Sequence, residues 1–134
     1  MRKQLAITRS ALDPAANQTT AAAVVSKAVV RAASILGLNN AALANVLGIS
    51  PATASRLRDG RFTLNPSGKP YELALLLIRL FRGLDAMMGG EEVSVRSWMN
   101  APNRALPGVP GELVTSVTGL VETVAYVDSG RARI

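Results

Sequence analysis

Residues 71–88, "YELALLLIRLFRGLDAMM", read as one long helix that is apolar around most of its circumference. Leu73, Leu76, Leu77, Leu80 and Leu84 form one stripe, and Leu75, Ile78 and Phe81 form a second. A helix of this kind must be covered on two sides. In a chain of 134 residues, a second copy of the protein is an expected cover. Leu73, Leu77, Leu80, Phe81 and Leu84 are therefore assigned to the core or to a dimer contact.

The flanking segments also read as helices. Residues 17–36 repeat apolar groups at Ala21, Val24, Val25, Ala28, Ala32, Ile35 and Leu36, with Lys27, Arg31 and Ser34 opposite. Asn17 or Thr19 is the expected cap, and Gly37 the stop. Short helices are expected over 40–47 and 51–58, the latter ended by Asp59-Gly60. "TLNPSGKP", residues 63–70, reads as a linker. Beyond the long helix, Gly89-Gly90 breaks the chain, and Glu91-Glu92 suit the positive end of a helix reaching Asn100. Pro110 opens another, fading at Gly119, and a last one carries Leu120, Val121, Val124, Ala125 and Val127 to Gly130. No segment alternates as a strand would. The expected fold is all-α, divided into an arm over 1–16, a unit over 17–65 and a second helical unit over 66–134.

The charge is lopsided. Residues 1–65 hold eight Lys/Arg against Asp13 and Asp59, whereas residues 66–134 hold seven of each sign, so the formal +6 lies entirely in the front half. Such a half suggests a polyanion partner. The chain contains no cysteine and no histidine. Disulfides, thiolate nucleophiles, imidazole bases and the usual zinc ligands are thereby removed, and neither metal nor cofactor is expected. The longest unbroken apolar run, residues 73–78, is far below the roughly 20 residues of a spanning helix. No export signal follows the basic start, so a cytoplasmic protein without membrane contact is expected.

"NAALANVLGISPATASRLRDG", residues 40–60, has the spacing of a helix-turn-helix. Ala44 is small enough for a tight crossing, and Gly48 can take the positive φ of the turn. Leu43, Leu47, Ile49, Ala54 and Leu57 are placed to close the interior. Ser50 is the expected cap of the third helix and Pro51 its first residue. Left outside are Ala52, Ser55, Arg56 and Arg58, on a helix narrow enough for a major groove. Arg56 suits a guanine edge and Ser55 a base or phosphate. Arg58, Arg61, Lys27 and Arg31 suit phosphates. A surface this small expects a dimer reading two half-sites.

The rear half holds the only tryptophan in "SWMNAPNRALPGVPGELV", residues 97–114. A buried Trp removes about 150–250 Å², worth roughly 4–6 kcal/mol at about 25 cal/mol per Å². Trp98 is therefore expected to pin this stiff turn, with Asn103 and Arg104 nearer a partner surface.

The long apolar helix, Trp98 followed by Pro102-Asn103, Leu106 before Gly108, the helix opened by Pro110 and the closing "GLVETVAYVDSGR" resemble the C-terminal domain of the Xre/ParS/MbcA-type antitoxins. The helix-turn-helix is similar to the family's Xre-like half. The resemblance implies an antitoxin that dimerises through the rear unit, covers a RES-domain toxin acting on NAD, and represses its own operon at operator DNA. It also implies a C-terminal tail reaching towards the toxin's nucleotide site, which singles out Gly130, Arg131, Arg133 and Ile134. Met99 stands where many relatives carry leucine. Two other readings exist. An enzyme would have to use Glu91, Glu92, Glu112, Glu122 or Ser97, without an imidazole or a phosphate loop. A stand-alone helix-turn-helix repressor would need a small-ligand pocket in the rear unit.

Overall fold

The computed structural model describes residues 14–132, with side chains over 20–130. Seven helices and no strand occur among the described residues: α1 (Pro14–Leu36), α2 (Asn40–Leu47), α3 (Pro51–Arg58), α4 (Lys69–Met87), α5 (Glu92–Asn100), α6 (Pro110–Leu113) and α7 (Val117–Ala132). No helix here is long and apolar enough to cross a membrane. The expected arm lies outside the described residues up to residue 13. Residues 14–16 already belong to α1, so Asn17 and Thr19 sit inside that helix and do not cap it.

The centre of the molecule is α4. Its Ala74, Leu77, Leu80 and Leu84 are completely buried, with α1 and α2 packed on one part of its circumference and α7 on another. Leu77, Leu80 and Leu84 are thus core residues, covered by helices of the same chain. Leu73 and Phe81 are half-buried against this core. The expectation of a second copy over the main stripe is corrected: intramolecular helices cover it.

α1 keeps the expected face in its second half, where Ala32, Ile35 and Leu36 are buried and Lys27, Arg31 and Ser34 exposed, and departs from it in its first turns. Ala22, Ser26, Val29, Ala33 and Leu36, spaced i, i+4, i+7, i+11 and i+14, point inward, whereas Ala21 is exposed and Val24 is 62% exposed. Residues 21–25 are apolar all round, so periodicity alone cannot choose a face there. The polar Ser26 disguises the true stripe. It is only 6% exposed, and its Oγ accepts the Leu64 amide at 3.0 Å.

That bond also changes the status of residues 63–70. Leu64 is buried to 1% exposure, so the segment is a strap stitched into the core and not a free tether. Gly68 precedes α4, whose second residue is Pro70. Val95 and Met99 of α5 and Leu120, Val124 and Val127 of α7 join the same buried cluster as Val29, Leu43 and Leu57. One core runs through both halves.

The last two helices also depart from expectation. α6 is a single turn, and Gly119 lies inside α7. A Cβ at Gly119 would run into the Leu113 carbonyl oxygen, so glycine is needed here for close approach and not to end a helix. α7 likewise passes through Gly130 to Ala132.

Candidate nucleic-acid interface and partner surface

α2 and α3 form the expected helix-turn-helix. Asn39 caps α2, its Oδ1 accepting the Ala42 amide at 2.8 Å. Ala44 is buried at the crossing. Gly48 adopts φ 68° and ψ 36°, a left-handed conformation open to glycine at little cost, and the Ile49 amide donates to the Ala44 carbonyl at 3.0 Å. Leu43, Leu47, Ala54 and Leu57 close the interior, while Ile49 is half-buried.

Ser50 caps α3, accepting the Thr53 amide at 3.1 Å. Its hydroxyl also donates to Thr53 Oγ1 at 2.8 Å, and Arg56 Nη2 donates to the same oxygen at 3.2 Å. A Ser50–Thr53–Arg56 chain at i, i+3, i+6 thus orders the Arg56 guanidinium on the outer surface of the helix. Thr53 is not among the residues that the sequence reading singles out; its spacing from Ser50 and Arg56 is the signal that could have found it. Pro51 and Ala52 are exposed and Ser55 half-buried, so the face is shallow.

The remaining basic residues fall into two groups. Lys27 and Arg31, one turn apart on α1, are exposed and line an open cleft of about 250 Å³ with Leu57, Arg58 and Phe62. Arg61 is exposed at the surface, ion-paired with Asp59 at 3.1 Å. Arg58 is set differently: half-buried, it donates from Nη2 to the Leu38 carbonyl at 2.8 Å. That bond ties the end of α3 to the turn between α1 and α2.

In the rear half, Trp98 is half-buried and stacks on Tyr126 of α7, ring centroids 6.3 Å apart and planes 10° from parallel. The fully buried residues of α5 are Val95 and Met99. Met99, the departure from the usual leucine, fills the core position, and its carbonyl oxygen would lie 3.0 Å from a Cβ on Gly111. Trp98 therefore clamps α5 to α7 from the edge, a smaller burial than a wholly enclosed ring would give. Asn103 is half-buried and uses its Oδ1 to accept the Ala105 amide at 2.9 Å, shaping the loop. Arg104 beside it is exposed. Gly130 packs near Met87. The side chain of Arg131, and all of Arg133 and Ile134, lie outside the described residues. Val117 and Val121 of α7 are exposed.

Comparison with known families gives two matches. A model of the antitoxin Xre-like helix-turn-helix domain matches residues 15–79. A model of the antitoxin Xre/MbcA/ParS C-terminal toxin-binding domain matches residues 83–133. A comparison with curated proteins finds no match.

Proposed function

Because the chain belongs to the Xre/MbcA/ParS antitoxins, with a helix-turn-helix half and a toxin-binding half, we propose that it neutralises a RES-domain toxin that consumes NAD, and that as a homodimer it represses its own operon. The observation that carries this reading is the outward face of α3, where Arg56 is held by Thr53 beside a matched toxin-binding half. Arg56 reads a base edge in the major groove, with Pro51, Ala52 and Ser55 letting the helix approach and Ser50 fixing its start. Lys27, Arg31 and Arg61 neutralise phosphates on either side of the groove. Arg58 contributes by holding α3 in place.

Residues 66–134 form the partner unit in this reading. Asn103 shapes the loop that displays Arg104, and Gly130, Arg131, Arg133 and Ile134 are assigned to the toxin's nucleotide pocket. The chain itself carries out no catalysis, and inhibition follows from occlusion. Co-expression with the adjacent toxin gene tests the proposal directly. The two proteins should co-purify, and the complex should show no NAD turnover while the free toxin does. Failure to co-purify, or full turnover in a stable complex, refutes the neutralisation mechanism.

A further inference from the structure

The end of α3 and the chain that follows it leave an open cleft of about 250 Å³ against α1. Two long-range hydrogen bonds fix its walls. The Leu64 amide donates to Ser26 Oγ at 3.0 Å, and Arg58 Nη2 donates to the Leu38 carbonyl at 2.8 Å. Val30, Leu57 and Phe62 give the cleft an apolar side, and Lys27, Arg31 and Arg58 a positive one. Among the described residues no carboxylate lines it. Asp59, next to Arg58 in sequence, is taken by Arg61 at 3.1 Å. None of the three cations forms an ion pair among the described residues, although Arg31 also borders a neighbouring cleft that holds Asp85 and Glu92. Arg58 Nε is buried without a hydrogen-bond partner, so the charge of this wall is under-compensated. Cations gathered around one concavity focus a positive potential there.

We propose that this cleft binds a small organic anion, a single ring carrying a carboxylate or a phosphate. An apolar cavity of about 150 Å³ takes up benzene. The cleft of about 250 Å³ therefore has room for a ring and its charged group. Val30 and Phe62, both half-buried, offer the ring a wall, while Lys27 and Arg31, both exposed, meet the anion. A DNA backbone phosphate would use the cations alone and leave the apolar side without a partner. A ring-bearing anion uses both sides, the usual make-up of a small-molecule site. Lys27 and Arg31 are also the residues assigned above to operator phosphates, so ligand and operator compete for them. That competition rests on the operator reading; the site itself does not.

Isothermal titration calorimetry of the full chain with phenyl phosphate and with benzoate, at fixed ionic strength, tests the site. Inorganic phosphate supplies the charge without the ring, and benzyl alcohol the ring without the charge. One ring-bearing anion should bind about 10-fold tighter than either control, from the apolar area it buries, and the tighter of the two identifies the anionic group. Lys27→Gln should weaken that binding about 5-fold. Thr63→Glu, at an exposed position on the cleft, sets a carboxylate against the ligand and should abolish binding at an unchanged melting temperature. Inorganic phosphate binding as tightly as both ring-bearing anions, no binding at millimolar concentrations, or full affinity in both variants overturns the proposal. In a gel-shift titration at the same ionic strength, saturating phenyl phosphate or benzoate should lower operator affinity about 5-fold or more. Binding to the free chain without that loss keeps the site and takes Lys27 and Arg31 off the DNA.

Discussion

Arg56 and Arg58 are two residues apart, carry the same charge and have different surroundings. Arg56 lies on the exposed face, oriented by Thr53, whereas Arg58 is turned inward to the Leu38 carbonyl. The Arg56→Ala variant should lose about 1–3 kcal/mol of operator binding and still protect cells from the toxin. Retained operator affinity in a gel-shift titration would remove Arg56 from the interface. Arg58→Gln should lower both the melting temperature and operator affinity without altering the salt dependence, because a tether releases no counterions. By contrast, Arg61→Ala should reduce the log–log salt slope by about 0.9. A reduced slope for Arg58→Gln would place that guanidinium on a phosphate after all. Charge was legible in the sequence at all three positions; the direction of each side chain was not, because it depends on which carbonyl lies within reach.

The glycines make the same point at residue scale. At Gly48 no atom lies within 4 Å of the place a Cβ would take, so Gly48→Ala costs only the left-handed backbone, about 1–2 kcal/mol. At Gly119 the same change meets the Leu113 backbone and should cost about 3 kcal/mol. Urea denaturation of the two variants measures the difference, and equal losses would mean that the α6–α7 corner yields easily.

Among the elements, α2 and α3 were the most legible, since each boundary has a local cause. Asn39 and Ser50 satisfy free amides at the helix starts, and Gly48 makes the turn. α1 was legible as a helix and, towards Leu36, in its facing, but not in its first turns. Its alanines and valines fit several stripes, and the decision came from the fit of Ser26 beneath the strap at Leu64. α4 shows how far apolar character and burial can diverge on one helix. Leu77→Ala should cost about 2–5 kcal/mol, whereas Leu75→Ala should change stability by less than about 0.5 kcal/mol. Thermal melts of both variants check this, and comparable losses would contradict the assigned facing of α4.

At the scale of the whole molecule, two functions share one core. α4 links them, because its buried residues belong to the same cluster as Leu43 and Leu57 in front and Val124 and Val127 behind. Unfolding should therefore be a single transition. Trp98 fluorescence, reporting the α5–α7 clamp, and far-ultraviolet circular dichroism should give coincident urea curves; separated midpoints would mean that the halves unfold independently. Removal of residues 131–134 should weaken toxin neutralisation while leaving dimerisation unchanged, as growth rescue and sedimentation would report. Undiminished protection would move the toxin contact away from the tail.

Local chemistry alone determined the helical character, the positions of the caps and turns around α2 and α3, and the concentration of positive charge in the front half. These follow from neighbours a few residues apart, which the order of residues specifies directly. Only the tertiary structure decided which side of the first turns of α1 faces inward, that the leucines of α4 are covered by their own chain, that Arg58 is a tether, and that a Pro- and Gly-rich segment is strapped to the core. Each depends on a partner distant in sequence, such as Leu64 for Ser26 or Leu38 for Arg58, and no local periodicity contains that information.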